Sequence, residues 1–124
     1  MASRDALALL MAAAISLAAL AAEPTAAATR EVGQLLARLE SSGCQFQRNG
    51  SWHSAPEARV HLQKKYQYLL DKHLVGTAED FVTLAASKSS TSGKPYLVKC
   101  GSGQPVPSAA WMAAQLKDLR AARR

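Results

Sequence analysis

The segment Ser87–Pro95, SKSSTSGKP, sets four serines and a threonine beside the ammonium of Lys94. Hydroxyls next to a lysine suggest phosphate cradling or nucleophilic attack, and the spacing speaks against both. A phosphate loop needs a glycine where Lys88 stands and a Ser or Thr where Pro95 follows the lysine. A Ser-x-x-Lys pair would start at position 91, which is Thr91 and lies on a loop rather than at a helix start. An anion or glycan contact through Ser89, Ser90, Ser92, Lys94 and Tyr96 remains open, as does an ordered structural loop.

Arg48 and Asn49 precede a glycine, and a fixed guanidinium at a strand end suits a carboxylate or sulfate. Internal pairing of Arg48 with Glu57 or Glu79 is the preferred expectation. The three histidines, His53, His61 and His73, are eight and twelve residues apart. Helical chelation needs i, i+4 spacing, so no metal site is expected, and nothing indicates a cofactor. His61 lies beside an apolar stripe and is expected to pack with its ring nitrogens bonded to a neighbouring loop. Trp52 and Trp111 are expected as core anchors.

Local signals define the elements that must position these groups. Val32, Leu35, Leu36 and Leu39 form the stripe of an amphipathic helix, ended by Ser41, Ser42 and Gly43. Cys44 to Arg48 alternates as a short strand, with Asn49 and Gly50 supplying a turn. Ser54, Pro56 and Glu57 compose a capping box with proline in the first turn, predicting a helix from Ala55 to about His73. Its stripe is Ala58, Leu62, Tyr66, Leu69 and His73. Gly76 breaks the chain, and Thr77 to Asp80 caps a shorter helix through Phe81, Val82 and Ala85. Tyr96 to Cys100 is a second strand, GSGQPVPS a loop, and Ser108 the cap of a last helix carrying Trp111, Met112, Gln115, Leu116 and Leu119. These elements predict a small single α+β domain, four helices packed around a two-stranded antiparallel ribbon.

The first residues bear on compartment. Arg4 precedes an uncharged Ala- and Leu-rich run, Ala6 to Leu20, too short to span a bilayer comfortably. Small-x-small sites end at Ala21 and Ala28, so residues 1–28 are expected to be a signal peptide and 29–124 the domain, with cleavage after Ala21 still open. An uncleaved anchor and a cytosolic alanine-rich helix are the alternatives. Loss of Arg4, Asp5 and Glu23 from 15 basic and 9 acidic residues leaves 14 and 7, a formal charge of +7. Outside the cytoplasm such charge favours anionic headgroups, cell-wall polymer or acidic protein rather than nucleic acid, unless it only keeps the surface soluble. Cys44 and Cys100 read as one disulfide in that compartment, closing a loop of about 57 residues, with two buried free thiols as the alternative. Cys44 opens one strand and Cys100 closes the other, as an antiparallel bridge requires.

Arg48–Gly50, Glu57, Ala58, His61 and Leu62, the TAEDF of Thr77–Phe81, and the SKSSTSGKPYLVK of Ser87–Lys99 resemble a family of small exported proteobacterial proteins of unknown function. That family includes an uncharacterised enterobacterial periplasmic protein. The likeness runs over about residues 31–120, with SGKPY its most specific part. It implies a signal peptide and a periplasmic location, and brings no catalytic residue, substrate or cofactor. Cys44 and Cys100 depart from that relative, which places apolar strand residues there, so the bridge has no support from the family.

The function expected is that of a periplasmic, non-enzymatic interaction module of the cell envelope, recognising an anionic ligand or partner without stable membrane insertion after cleavage. Its face would combine Arg48, Asn49, His61, Ser89, Ser90, Ser92, Lys94 and Tyr96. The alternative is a small serine-dependent hydrolase or cell-wall enzyme using Ser90 or Ser92 with His61 as base.

Overall fold

The computed structural model describes residues 21–123, and the expected signal run Ala6–Leu20 lies outside them. The element order is α1 (Ala26–Ser41), β1 (Gln45–Arg48), β2 (Ser51–Ser54), α2 (Ala55–Asp71), α3 (Ala78–Leu84), β3 (Leu97–Lys99), β4 (Val106–Pro107) and α4 (Ser108–Ala122). None of the described helices is long and apolar enough to cross a membrane.

Local chemistry fixes the helix starts. Thr25 accepts the Ala28 N–H at 3.0 Å to cap α1. Ser54 and Glu57 form a reciprocal capping box on α2, and Thr77 and Asp80 form another on α3. The apolar stripes then meet in one core. Val32, Leu35, Leu36 and Leu39 of α1 pack with Leu62, Tyr66 and Leu69 of α2, Phe81 of α3, and Met112, Leu116 and Leu119 of α4.

The sheet has four antiparallel strands in the order β2-β1-β3-β4, rather than the expected two-stranded ribbon. The ribbon is its centre, where β1 pairs β3 with Gln45 opposite Lys99 and Phe46 opposite Val98. Extending that register places Cys44 opposite Cys100, and their sulfurs are joined. The two added strands lie at the edges and give weak sequence signals. Every residue of β2 is exposed or half-buried, so burial does not alternate as it does in a strand packed on one face, and β4 is two residues ending in Pro107. The turn joining β1 to β2 uses left-handed backbone at Asn49 (φ 51°) and Gly50 (φ 81°), the conformation such hairpins require.

Burying Phe46 and Val98 turns one sheet face toward the helices. That geometry explains a misplaced anchor. Trp52 is the register partner of Gln47 on the outer face and stays 38% exposed, while Trp111 packs partly buried against the core. His73 also leaves its expected place on the α2 stripe. The helix ends at Asp71, His73 adopts left-handed backbone (φ 56°), and its exposed ring meets Glu23 at 2.6 Å. Ser108 does not cap α4. It is the first helical residue, its N–H donates to the Tyr96 carbonyl at 2.8 Å, and its fully buried hydroxyl has no partner among the described residues.

Candidate functional site

Alternation along β1 puts Arg48 on the same inner face as Phe46, at the end of the strand and against α2. There its Nη1 donates to Nδ1 of His61 at 3.1 Å. Neither expected carboxylate reaches it. Glu57 accepts from the N–H and hydroxyl of Ser54 at 3.2 and 2.8 Å, and Glu79 accepts from Arg120 at 2.8 Å. The cap geometry of α2 and the approach of α4 claim the two acids first.

Because a guanidinium only donates, His61 Nδ1 must accept, and the neutral ring carries its proton on Nε2. That Nε2–H donates to the Tyr96 hydroxyl at 3.1 Å. Lys65, one turn beyond His61, donates to the same hydroxyl at 3.0 Å and to the Lys88 carbonyl at 2.9 Å. Tyr96 is fixed from behind by Phe46, ring centroids 5.0 Å apart, and by the Ser108 N–H on its carbonyl. The result is a chain of donors, Arg48, His61 and Lys65, converging on a neutral imidazole and a phenol.

The electrostatics follow from burial among like charges. Desolvation first, then Arg48 and Lys65, hold the His61 imidazolium off and push its pKa down to about 4. Desolvation, with Arg48 second, pushes the Lys65 ammonium down. Burial pushes the Tyr96 phenol up against the pull of Arg48. His61 is thus a neutral acceptor that positions Arg48 without cancelling its charge.

Two clefts flank His61. The larger, about 430 Å³, is lined by Phe46, Arg48, His53, Glu57, Val60, His61 and Lys64. The smaller, about 250 Å³, is lined by His61, Lys64, Lys65, Tyr68, Leu69, Leu84 and Ser90. Of the residues singled out in the sequence, Arg48, His61 and Tyr96 converge, and Ser90 borders the second cleft. Asn49 accepts from the Ser92 hydroxyl at 2.5 Å, tying the hairpin turn to the serine loop. Ser89 is buried, and its hydroxyl oxygen takes the N–H groups of Thr91 and Ser92, each at 3.3 Å. These three hydroxyl and amide groups hold the loop in shape. Lys94 lies exposed and borders neither cleft. Both His61 nitrogens are occupied by Arg48 and Tyr96, and neither Ser90 nor Ser92 bonds to them.

Lys64 and Lys65 are not singled out from the sequence, where His53 is weighed only as a metal ligand. His53 is the register partner of Phe46, so it faces inward at the sheet edge. A second α2 row, Val60, Lys64 and Tyr68 at i, i+4 and i+8, beside the core stripe, was the available signal.

No curated protein and no solved structure matches the chain. A family model described as a family of unknown function, DUF5329, matches residues 26–120, from the first turn of α1 to the last of α4, and the chain belongs to that family.

Proposed function

We propose that the protein is a non-enzymatic binding module of the bacterial cell envelope, acting in the periplasm, and that it captures an anion in the cleft between β1 and α2. The observation that carries this reading is the Arg48–His61 contact. A guanidinium held by a carboxylate has its charge neutralised, whereas one held by a neutral imidazole keeps its charge and its other N–H groups for a ligand. Lys64 adds positive potential in the same cleft, and Lys65 adds it from the neighbouring one. No carboxylate bonds to Arg48 among the described residues, and the one acid in the cleft lining, Glu57, is engaged by Ser54.

The test is a titration of the folded protein with methyl phosphate and with acetate, followed by NMR of the His61 ring and the Arg48 side chain. Saturable shifts that vanish in Arg48→Gln and persist in Lys94→Ala are expected. Shifts of the same size in Arg48→Gln would overturn the reading. A serine-dependent hydrolase would need a hydroxyl where Arg48 or Tyr96 meets His61. Covalent fluorophosphonate labelling at Ser90 or Ser92 would establish that activity instead.

A further inference from the structure

We infer that the ligand is a single-chain anionic amphiphile, with its charged head at Arg48 and its apolar chain lying across Lys64 onto Tyr68 and Leu84. This inference rests on the anion-capture reading and adds the ligand's chemical class.

Three observations carry it. First, the two clefts are neighbours sharing His61 and Lys64, so a molecule longer than a bare anion can occupy both. From His61 to Tyr68 the helix advances about 10 Å, at 1.5 Å per residue, which is the scale of a short alkyl chain. Second, large apolar side chains stand exposed along this path. Val60 is 56% exposed on the first cleft, and Tyr68 at 60% and Leu84 at 44% form the walls of the second. Exposed apolar groups gathered around a concave surface mark a binding site more than scattered ones do. Third, the lining changes from one cleft to the next, although Val60 and Glu57 belong to the first and Lys64 and Lys65 to the second. Arg48 and His53 stand only in the first cleft, while Tyr68, Leu69 and Leu84 stand only in the second.

The positive side complements a compact carboxylate or phosphate head, and the apolar side complements its chain. Lys64 suits the junction, because its methylene stem can cover a chain while its ammonium reaches a head. A bare inorganic anion would leave the apolar walls without a role, and an uncharged amphiphile would leave Arg48 without one. The small concave volumes favour a small ligand over a protein surface.

The experiment compares, by calorimetry below micelle concentrations, decyl phosphate and decanoate with methyl phosphate, acetate and uncharged decyl maltoside. The decyl anions are expected to bind at least tenfold tighter than their one- and two-carbon counterparts. Tyr68→Ser with Leu84→Ser should remove that advantage while keeping the weak head-group binding. Arg48→Gln should remove the preference over decyl maltoside. The phosphate and carboxylate arms show which head the site takes, either result supporting the class. Equal affinity for decyl phosphate and methyl phosphate would overturn the amphiphile inference and leave anion capture standing. Decyl maltoside binding as tightly as the decyl anions would overturn the anionic part, and absence of binding by every anion would overturn both readings. All three substituted residues lie at least partly in solvent, and an unchanged melting temperature in each variant verifies that the fold is intact.

Discussion

Arg48 on β1 and His61 on α2 meet at 3.1 Å with the histidine as acceptor, so the positioning of the guanidinium depends on the imidazole staying neutral. The same contact links ligand readiness to protonation. Once His61 takes a proton at Nδ1, the acceptor is lost and two cations face one another.

The first prediction concerns pH. Unfolded, His61 titrates near 6.5, and in the folded protein it titrates at about 4. Between those values the unfolded chain binds more protons, so stability rises with pH. The neutral-histidine state is fully favourable above 6.5 and loses its advantage as pH falls toward 4. Partial solvent access moderates the effect, and roughly 2 kcal/mol should disappear between pH 7 and pH 4. Urea unfolding of wild type and His61→Gln across this range checks it. The variant should show a flatter profile, and parallel profiles would refute the assignment.

The second prediction concerns the covalent link. Cys44 is buried and Cys100 exposed, so reductant can reach the bond from the Cys100 side. Their sequence separation of 56 closes a loop whose removal should cost about 4 kcal/mol in the chain-entropy account. For a domain of this size that corresponds to a melting decrease of roughly 15–30 °C. Thermal melts of Cys44→Ala/Cys100→Ala, and of wild type with and without dithiothreitol, measure it. A shift of only a few degrees would mean that the packed pair Phe46 and Val98 holds the strands unaided.

The fold was legible wherever its signals are local. Both capping boxes are spelled out within four residues, and the α1 stripe is complete within eight. The central strand pair was legible because two cysteines fixed its direction. The edge strands were not, because Ser51–Ser54 and Val106–Pro107 earn their pairing from neighbours rather than from their own pattern. The site followed the same division. The antiparallel pairing expected from the cysteines already brings residues 48 and 96 to one sheet end, but the Arg48–His61 contact, set by how α2 packs on β1, has no local signal. Lys94 was suggested by its proximity to the serines, and local turn bonds instead consume the loop's polar groups and leave its ammonium outside the clefts.

A third prediction addresses the ion-pair latch between α1 and α4. Glu31, 5% exposed on α1, accepts from Arg120 at 2.9 and 3.0 Å and from Arg123 at 2.6 Å, while Arg120 also reaches Glu79. The Arg120 bond outweighs desolvation and, with Arg123, holds the Glu31 carboxyl down at about 2. This stabilisation is present above about pH 4.5 and is lost as pH falls from there toward 2, below the His61 window. Glu31→Gln should cost about 2 kcal/mol at pH 7, less than a wholly buried pair because both guanidiniums touch solvent. Its acid-unfolding curve should flatten below pH 4.5 and, above that, run parallel to wild type but lower by about that amount. An unchanged curve would show that the latch contributes little.

The last prediction joins the expectation of export to the packing of the chain's first described residues. Cleavage after Ala28 would remove Thr25, the cap of α1, and Glu23, the partner of His73. It would also remove the buried Ala28 and the bond from the Ala22 N–H to the His73 carbonyl at 3.0 Å. Cleavage after Ala21 leaves all of these in place, with Ala22 as the new amino terminus close to a carbonyl that can accept from its ammonium. The mature protein should therefore begin at Ala22, and intact-mass measurement of protein recovered from a periplasmic fraction reads the site directly. Chains made to begin at Ala22 and at Thr29 supply the energetic counterpart. Loss of the threonine cap alone costs about 1 kcal/mol, so the shorter chain should melt several degrees lower. A mature mass starting at Thr29, together with equal melting of the two chains, would mean that residues 22–28 add nothing to the folded domain and that the site is chosen by the peptidase alone.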